Sequence, residues 1–185
     1  MIPRALYQMA RAVGYGGPAI LTIATHPDGS RYAGWPVGCI RLDHLLLEVL
    51  GDPADGTYRI APDGRLTPGV GNYPADTVVR RILPYLEQAR TPVEASPWIR
   101  QVSAKIRHQL IGTPDGRYTI ADLAQWEAWA DAADGVPWQL DGGPHRPLVW
   151  APADDPSGRA TAMLTTIYAP TDPAPPAPEA LDVAR

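Results

Sequence analysis

Catalysis or metal binding would need nucleophiles, bases or ligands at workable spacing, and this sequence offers few. His26, His44, His108 and His145 are scattered, with no His-Glu-x-x-His and no paired Cys/His spacing. Cys39 is the only cysteine, so an intrachain disulfide is excluded, and between Gly38 and Ile40 it reads as a small core residue in a reducing setting. No Gly-x-Ser-x-Gly elbow occurs, and Ser30, Ser96, Ser103 and Ser157 all suit turns or caps. "GYGG" at 14–17 follows a helical pattern and precedes a strand. A phosphate loop needs the opposite order, so that a helix N-terminus meets the anion. His44 and Glu48, four apart, read as an exposed helix pair. No catalytic residue, no metal and no cofactor is therefore expected.

Two stretches resemble known families. "DGRYTIADL" (115–123) resembles the back half of an EF-hand or dockerin loop, which would imply calcium. Gly116 takes the obligatory glycine place, Ile120 lies in the short β run, and Asp122 stands where the bidentate carboxylate belongs. The front half departs from the family: Ile111 and Thr113 occupy places that need acidic or Asn ligands, and calcium requires 6–8 oxygens. "GPAILTIATHPDGSRYAGWPVGCIRL" (17–42) looks like the opening hairpin of the split-barrel flavin-binding proteins, which would imply a flavin-binding oxidoreductase. Here the chain continues into "DHLLLEVL", which reads helical, without the basic and hydroxyl residues that hold a flavin phosphate.

Charge and tryptophan carry more information. Residues 1–75 balance six acids with six bases; 76–118 hold seven bases and four acids; 119–185 hold three bases and ten acids. The net charge is −4, against general nucleic-acid binding; a basic segment at 80–117 remains the one nucleic-acid alternative. Arg100 and Arg107 are expected on the outward stripe of one helix, and Glu127, Asp131 and Asp134 on a stripe of the next. Trp126, Trp129, Trp138 and Trp150 fall close together. They read either as core filling or as an exposed aromatic ridge of the kind enriched at interfaces. The residues singled out as partner-binding are Trp126, Trp129, Glu127, Asp131, Arg100 and Arg107.

The elements that must position these residues follow from periodicity. Leu6, Met9, Ala10 and Val13 predict a helix over 2–13. "AILTIAT" and "RYAGWPVGCIRL" predict strands around an Asp-Gly turn, and Asp43 caps a short helix "HLLLEVL". A small hairpin is expected at 57–67. Val79, Ile82, Leu83 and Leu86 form a helical face that Pro84 interrupts. "SPWIRQVSAKIRHQLIG" (96–112) predicts a helix with Pro97 in its first turn and Gly112 at its end. Thr119 and Asp122 suggest a capping box for a helix at about 120–133. "VPWQL", "RPLVW" and "TAMLTTIYA" predict strands. An echo relates Asp55–Ala61 to Asp115–Ala121, with chance as the rival reading.

The expected fold is α+β: one domain over 1–168 with short antiparallel hairpins flanking a helical layer from 76 to 133, and a Pro/Ala-rich tail over 169–185, disordered or ordered by a partner. The N-terminus lacks an uninterrupted apolar run, and no stretch approaches the ~20 apolar residues of a membrane helix. The leading reading is a cytoplasmic, non-catalytic binding or assembly protein acting through the 98–134 helices and the Trp-rich strands after them. Its partner would be another protein or a second copy of itself. An accessory product of a phage or mobile element is compatible with this profile.

Overall fold

The computed structural model describes residues 3–71, 73–88, 90–104, 106–112, 118–140, 147–155 and 159–166, with backbone alone at 96–98, 100 and 118. Residues 167–185 (which include the whole 169–185 tail), His145 and residues 113–117 lie outside the described residues.

Helix α1 (Pro3–Val13) leads into a meander of β1 (Ile20–Thr25), β2 (Arg31–Trp35) and β3 (Gly38–Leu42). Gly29, at φ 88°, makes the β1–β2 turn as the Asp-Gly reading requires. The run read as one strand after that turn is two, because Pro36 and Val37 form a turn between β2 and β3. Asp43 caps α2 (His44–Val49), its Oδ1 accepting from Leu46 N at 2.7 Å. The hairpin β4 (Gly56–Ile60) and β5 (Leu66–Pro68) forms as expected. Helix α3 (Ala75–Arg81) then restarts at Pro84 as a 3-10 turn, Leu83–Glu87.

The 96–112 helix does not form. In its place β6 (Arg90–Pro92) and β7 (Glu94–Gln101) run on to β8 (Arg107–Gly112) and β9 (Tyr118–Asp122). Ile99, Val102, Ile106 and Leu110 sit at spacings of three and four, which imitates a helical face. They are also mostly β-branched, and strand propensity is decided by the neighbours a strand finds. β7–β8–β9 pair as a small antiparallel sheet, so the proposed central helical layer is replaced there by strands. The chain continues through α4 (Leu123–Ala132), β10 (Val136–Leu140), β11 (Leu148–Ala151) and β12 (Ala162–Leu164).

The large antiparallel sheet runs β5-β4-β1-β2-β3-β12-β11-β10-β6. Strand alternation divides its side chains between two cores. Leu21, Ile23, Trp35, Ile40 and Trp150 face α1, α2 and α4, whereas Ala24, Tyr32, Cys39, Trp138 and Met163 face α3 and the 3-10 turn. Both cores draw on strands before and after β6, so the halves share their interior. After the β1–β2 hairpin the chain adds β3 to this sheet and then turns into α2.

The two halves follow one plan. β6 and β7 are broken only at Val93, and together they pair with β10 on one stretch and β8 on the next. Taken as one bent strand, they give the second half the order β11-β10-β6/β7-β8-β9, which matches β5-β4-β1-β2-β3 in the first. The sequences agree at a constant offset of 79. Asp43, Glu48, Asp52, Ala54, Asp55 and Gly56 recur as Asp122, Glu127, Asp131, Ala133, Asp134 and Gly135. Both leading aspartates are N-caps. β12 has no counterpart in the first half and closes the gap between β3 and β11.

The echo of Asp55–Ala61 with Asp115–Ala121 is not this repeat. Its first copy lies in β4, after a helix, and the described part of its second lies in β9, before one.

Candidate binding cleft

The tryptophans settle first, because they hold the site in place. Trp129 is fully buried, and its indole N–H donates to Met163 O at 2.8 Å with Cys39 O 3.3 Å away. Those two carbonyls belong to β12 and β3, the strands that join the halves. Gly38 is required at the same seam, since a Cβ there would stand 2.0 Å from Met163 O. The Trp129 ring meets Trp35 edge-on at 5.2 Å, and Trp126 lies against Trp150 at 5.6 Å. Trp126, Trp138 and Trp150 are also buried. Of the two readings of Trp126, Trp129, Trp138 and Trp150, the burial matches core filling and not an exposed ridge.

What α4 does present is acidic. Glu127 and Asp131, one turn apart, are both exposed. Beyond them Asp131 and Asp134 line a cleft of about 600 Å³ between the end of α4 and the β3–α2 junction, where Arg41, Asp43 and His44 form the opposite wall and Thr161 the floor. The Thr161 hydroxyl donates to Asp134 O at 2.9 Å. The Leu46 N–H donated to Asp43 holds that carboxyl below the usual range, so it stays ionised.

The repeat shows why these aspartates are available. In the first half, Gly51 at φ 79° ends α2 after six residues and turns Asp52 back onto Arg31, which bonds it at 2.5 Å. Asp55 accepts from Thr25 N at 3.0 Å and Thr25 Oγ1 at 2.6 Å. In the second half Ala130 stands where Gly51 does, and α4 runs on to Ala132. Asp131 therefore stays on the helix, and neither its carboxylate nor that of Asp134 has a hydrogen-bond or ionic partner among the described residues.

The basic candidates are arranged differently from expectation. Arg107 is exposed opposite Gln101, and Arg100 is opposite His108, so they occupy successive registers of a hairpin and not one helical stripe. The side chain of Arg100 lies outside the described part. Two other bases of the 80–117 segment are engaged: Arg80 pairs with Asp76, and Arg90 lies 6.0 Å over Trp138.

Asp122, the proposed last calcium ligand, is buried and accepts from Gln125 N at 3.1 Å. It is the N-cap itself; Thr119 lies inside β9 with its hydroxyl buried and unpaired, so the capping box does not form. No group of three or more His, Cys, Asp or Glu is placed to hold a metal ion among the described residues. Cys39 is fully buried, and burial pushes its thiol up. Tyr32, buried beside it, is pushed up to about 12. No described helix is long and apolar enough to cross a membrane. The chain matches no protein-family model, no curated protein and no solved structure.

Arg41, Asp43 and His44 were not among the expected partner-binding residues, because they lie some 90 residues from Asp131 in sequence. The signal that could have found the cleft is the Asp-x4-Glu-x3-Asp-x-Ala-Asp-Gly pattern, which marks both helix exits.

Proposed function

We propose that this chain is a non-catalytic binding or assembly protein whose α4 end takes a basic segment of a partner protein. The observation that carries the reading is the pair Asp131 and Asp134, unpaired at an open cleft although their counterparts Asp52 and Asp55 are both engaged. Glu127 extends the acidic stripe, so an extended or helical segment with arginines would follow it into the cleft. Exposed charge pairs contribute modestly each and mostly govern specificity and encounter rate. The partner would therefore bind weakly through charge alone and be sensitive to salt.

A fluorescent arginine-rich peptide serves as the probe. Its binding is expected to weaken about tenfold in Asp131→Asn/Asp134→Asn, equivalent to ~1.4 kcal/mol, and to fall as salt is raised. Equal affinity for the double variant and the parent, or no binding at low salt, would overturn the assignment.

A further inference from the structure

The chain leaves the described part of the fold beside an apolar hollow. β12 ends at Leu164 opposite Gly38, Thr165 donates its N–H to Val37 O at 2.6 Å, and Thr166 is buried. Val37 belongs to the Pro36–Val37 turn between β2 and β3. Trp35 and Pro36 also line a hollow of about 240 Å³ at the end of α1, walled further by Val13, Pro18, Ile20 and Tyr73. Among the described residues its wall holds no charge. Of its two threonines, Thr22 is spent on Tyr73 O at 2.6 Å, with the Thr57 hydroxyl 3.4 Å away. Whatever fills the hollow must therefore be apolar.

We propose that the occupant is the chain's own proline-rich segment 167–178, folded back from Thr166 across the Pro36–Val37 turn. Its composition suits the site. Five of those twelve residues are proline, Ile167 and Tyr168 lead them, and Asp172 is the only charge. Such a segment keeps its backbone polar groups in solvent, gives up little conformational freedom on docking, and lies in aromatic-lined grooves. The distance suits it too. The hollow reaches β1, three strands from β12 past β3 and β2, or ~14 Å at the usual strand spacing. An extended segment rising ~3.1 Å per residue covers that in about five residues, which brings Tyr168 to Pro173 over the hollow. Arg11, which donates to Gly17 O at 2.9 Å beside the hollow, then faces Asp172. The strap ties the end of α1 to the last strand, and the acidic cleft plays no part in it.

A nitroxide label on the full chain tests this. Cys39 is fully buried, so the cysteine introduced by Ala174→Cys takes the label alone. In an isotope-labelled sample the amide signals of Gly14, Gly17 and Gly71 should lose most of their intensity. Val13→Asp, in the wall of the hollow, should restore those signals and speed chymotrypsin cleavage after Tyr168 roughly tenfold. Tyr168→Ser changes the segment alone and should restore the signals as well, so the test stands even where Val13→Asp fails to fold. Thermal melts of each variant check folding. Broadening confined to residues around Val37 and Leu164 overturns the proposal, as does broadening that neither variant changes. So does broadening in a mixture of isotope-labelled chains without nitroxide and nitroxide-bearing chains without isotope, since a second copy's segment would then fill the hollow.

Discussion

The two halves of this protein use one topology and one acidic pattern for different ends. In the first, the helix is cut short at Gly51, and the acids after it tie the chain back to β1 and β2 through Thr25 and Arg31. In the second, the helix runs longer, carries two tryptophans into the core and leaves the same acids in solvent. Three differences separate the engaged acids from the exposed ones: Ala130 stands for Gly51, Leu110 for Arg31 and Ala104 for Thr25.

The largest expected effect tests that division. Trp129 and its counterpart Leu50 occupy equivalent places, but only Trp129 spans the β3–β12 seam. Trp129→Ala should cost about 3–5 kcal/mol and Leu50→Ala about 2–3 kcal/mol, read from urea unfolding. Equal losses would mean that the seam does not depend on the indole. Next, Asp55→Ala should destabilise by roughly 1 kcal/mol through its two lost hydrogen bonds. Asp134→Ala should fall within about 0.5 kcal/mol of the parent. If Asp134→Ala were the worse of the two, the acids would not be divided as described.

The smallest effect concerns the caps. Asp122 is buried and Asp43 exposed, so Asp122→Ala should cost up to about 2 kcal/mol and Asp43→Ala nearer 0.5 kcal/mol. Leu46 N–H lowers the folded value of Asp43. Its contribution is therefore complete above the unfolded carboxyl value of about 3.9 and is lost as pH falls through the lower folded value. The parent and Asp43→Ala should thus differ at neutral pH and converge as the pH falls through the lowered folded value. A difference that persists in acid would assign the effect to the helix backbone instead of the carboxylate.

Much of the local structure was legible. Helix α1, the Asp-Gly turn at Gly29, the Asp43 cap, the restart at Pro84 and the three late strands all follow from residues adjacent in sequence. The stretch 96–112 was not, because spacings of three and four among β-branched residues suit either a helix or a hairpin. Its choice depends on β6 finding β10 some 45 residues later. The candidate site was half legible: Glu127 and Asp131 were picked out for their stripe, whereas Arg41 and His44 needed the fold to bring them across.

By itself, the sequence determined the local events: which glycines turn the chain, which aspartates start helices, and that an acidic pattern occurs twice. Those are decided within a few residues by backbone sterics and capping bonds. Only the tertiary structure decided which copy of the pattern is occupied. Whether Asp52 meets Arg31, whether Trp129 reaches β12, and whether Asp131 is left in solvent all depend on contacts between distant segments. Their energies exist only once the sheet has assembled.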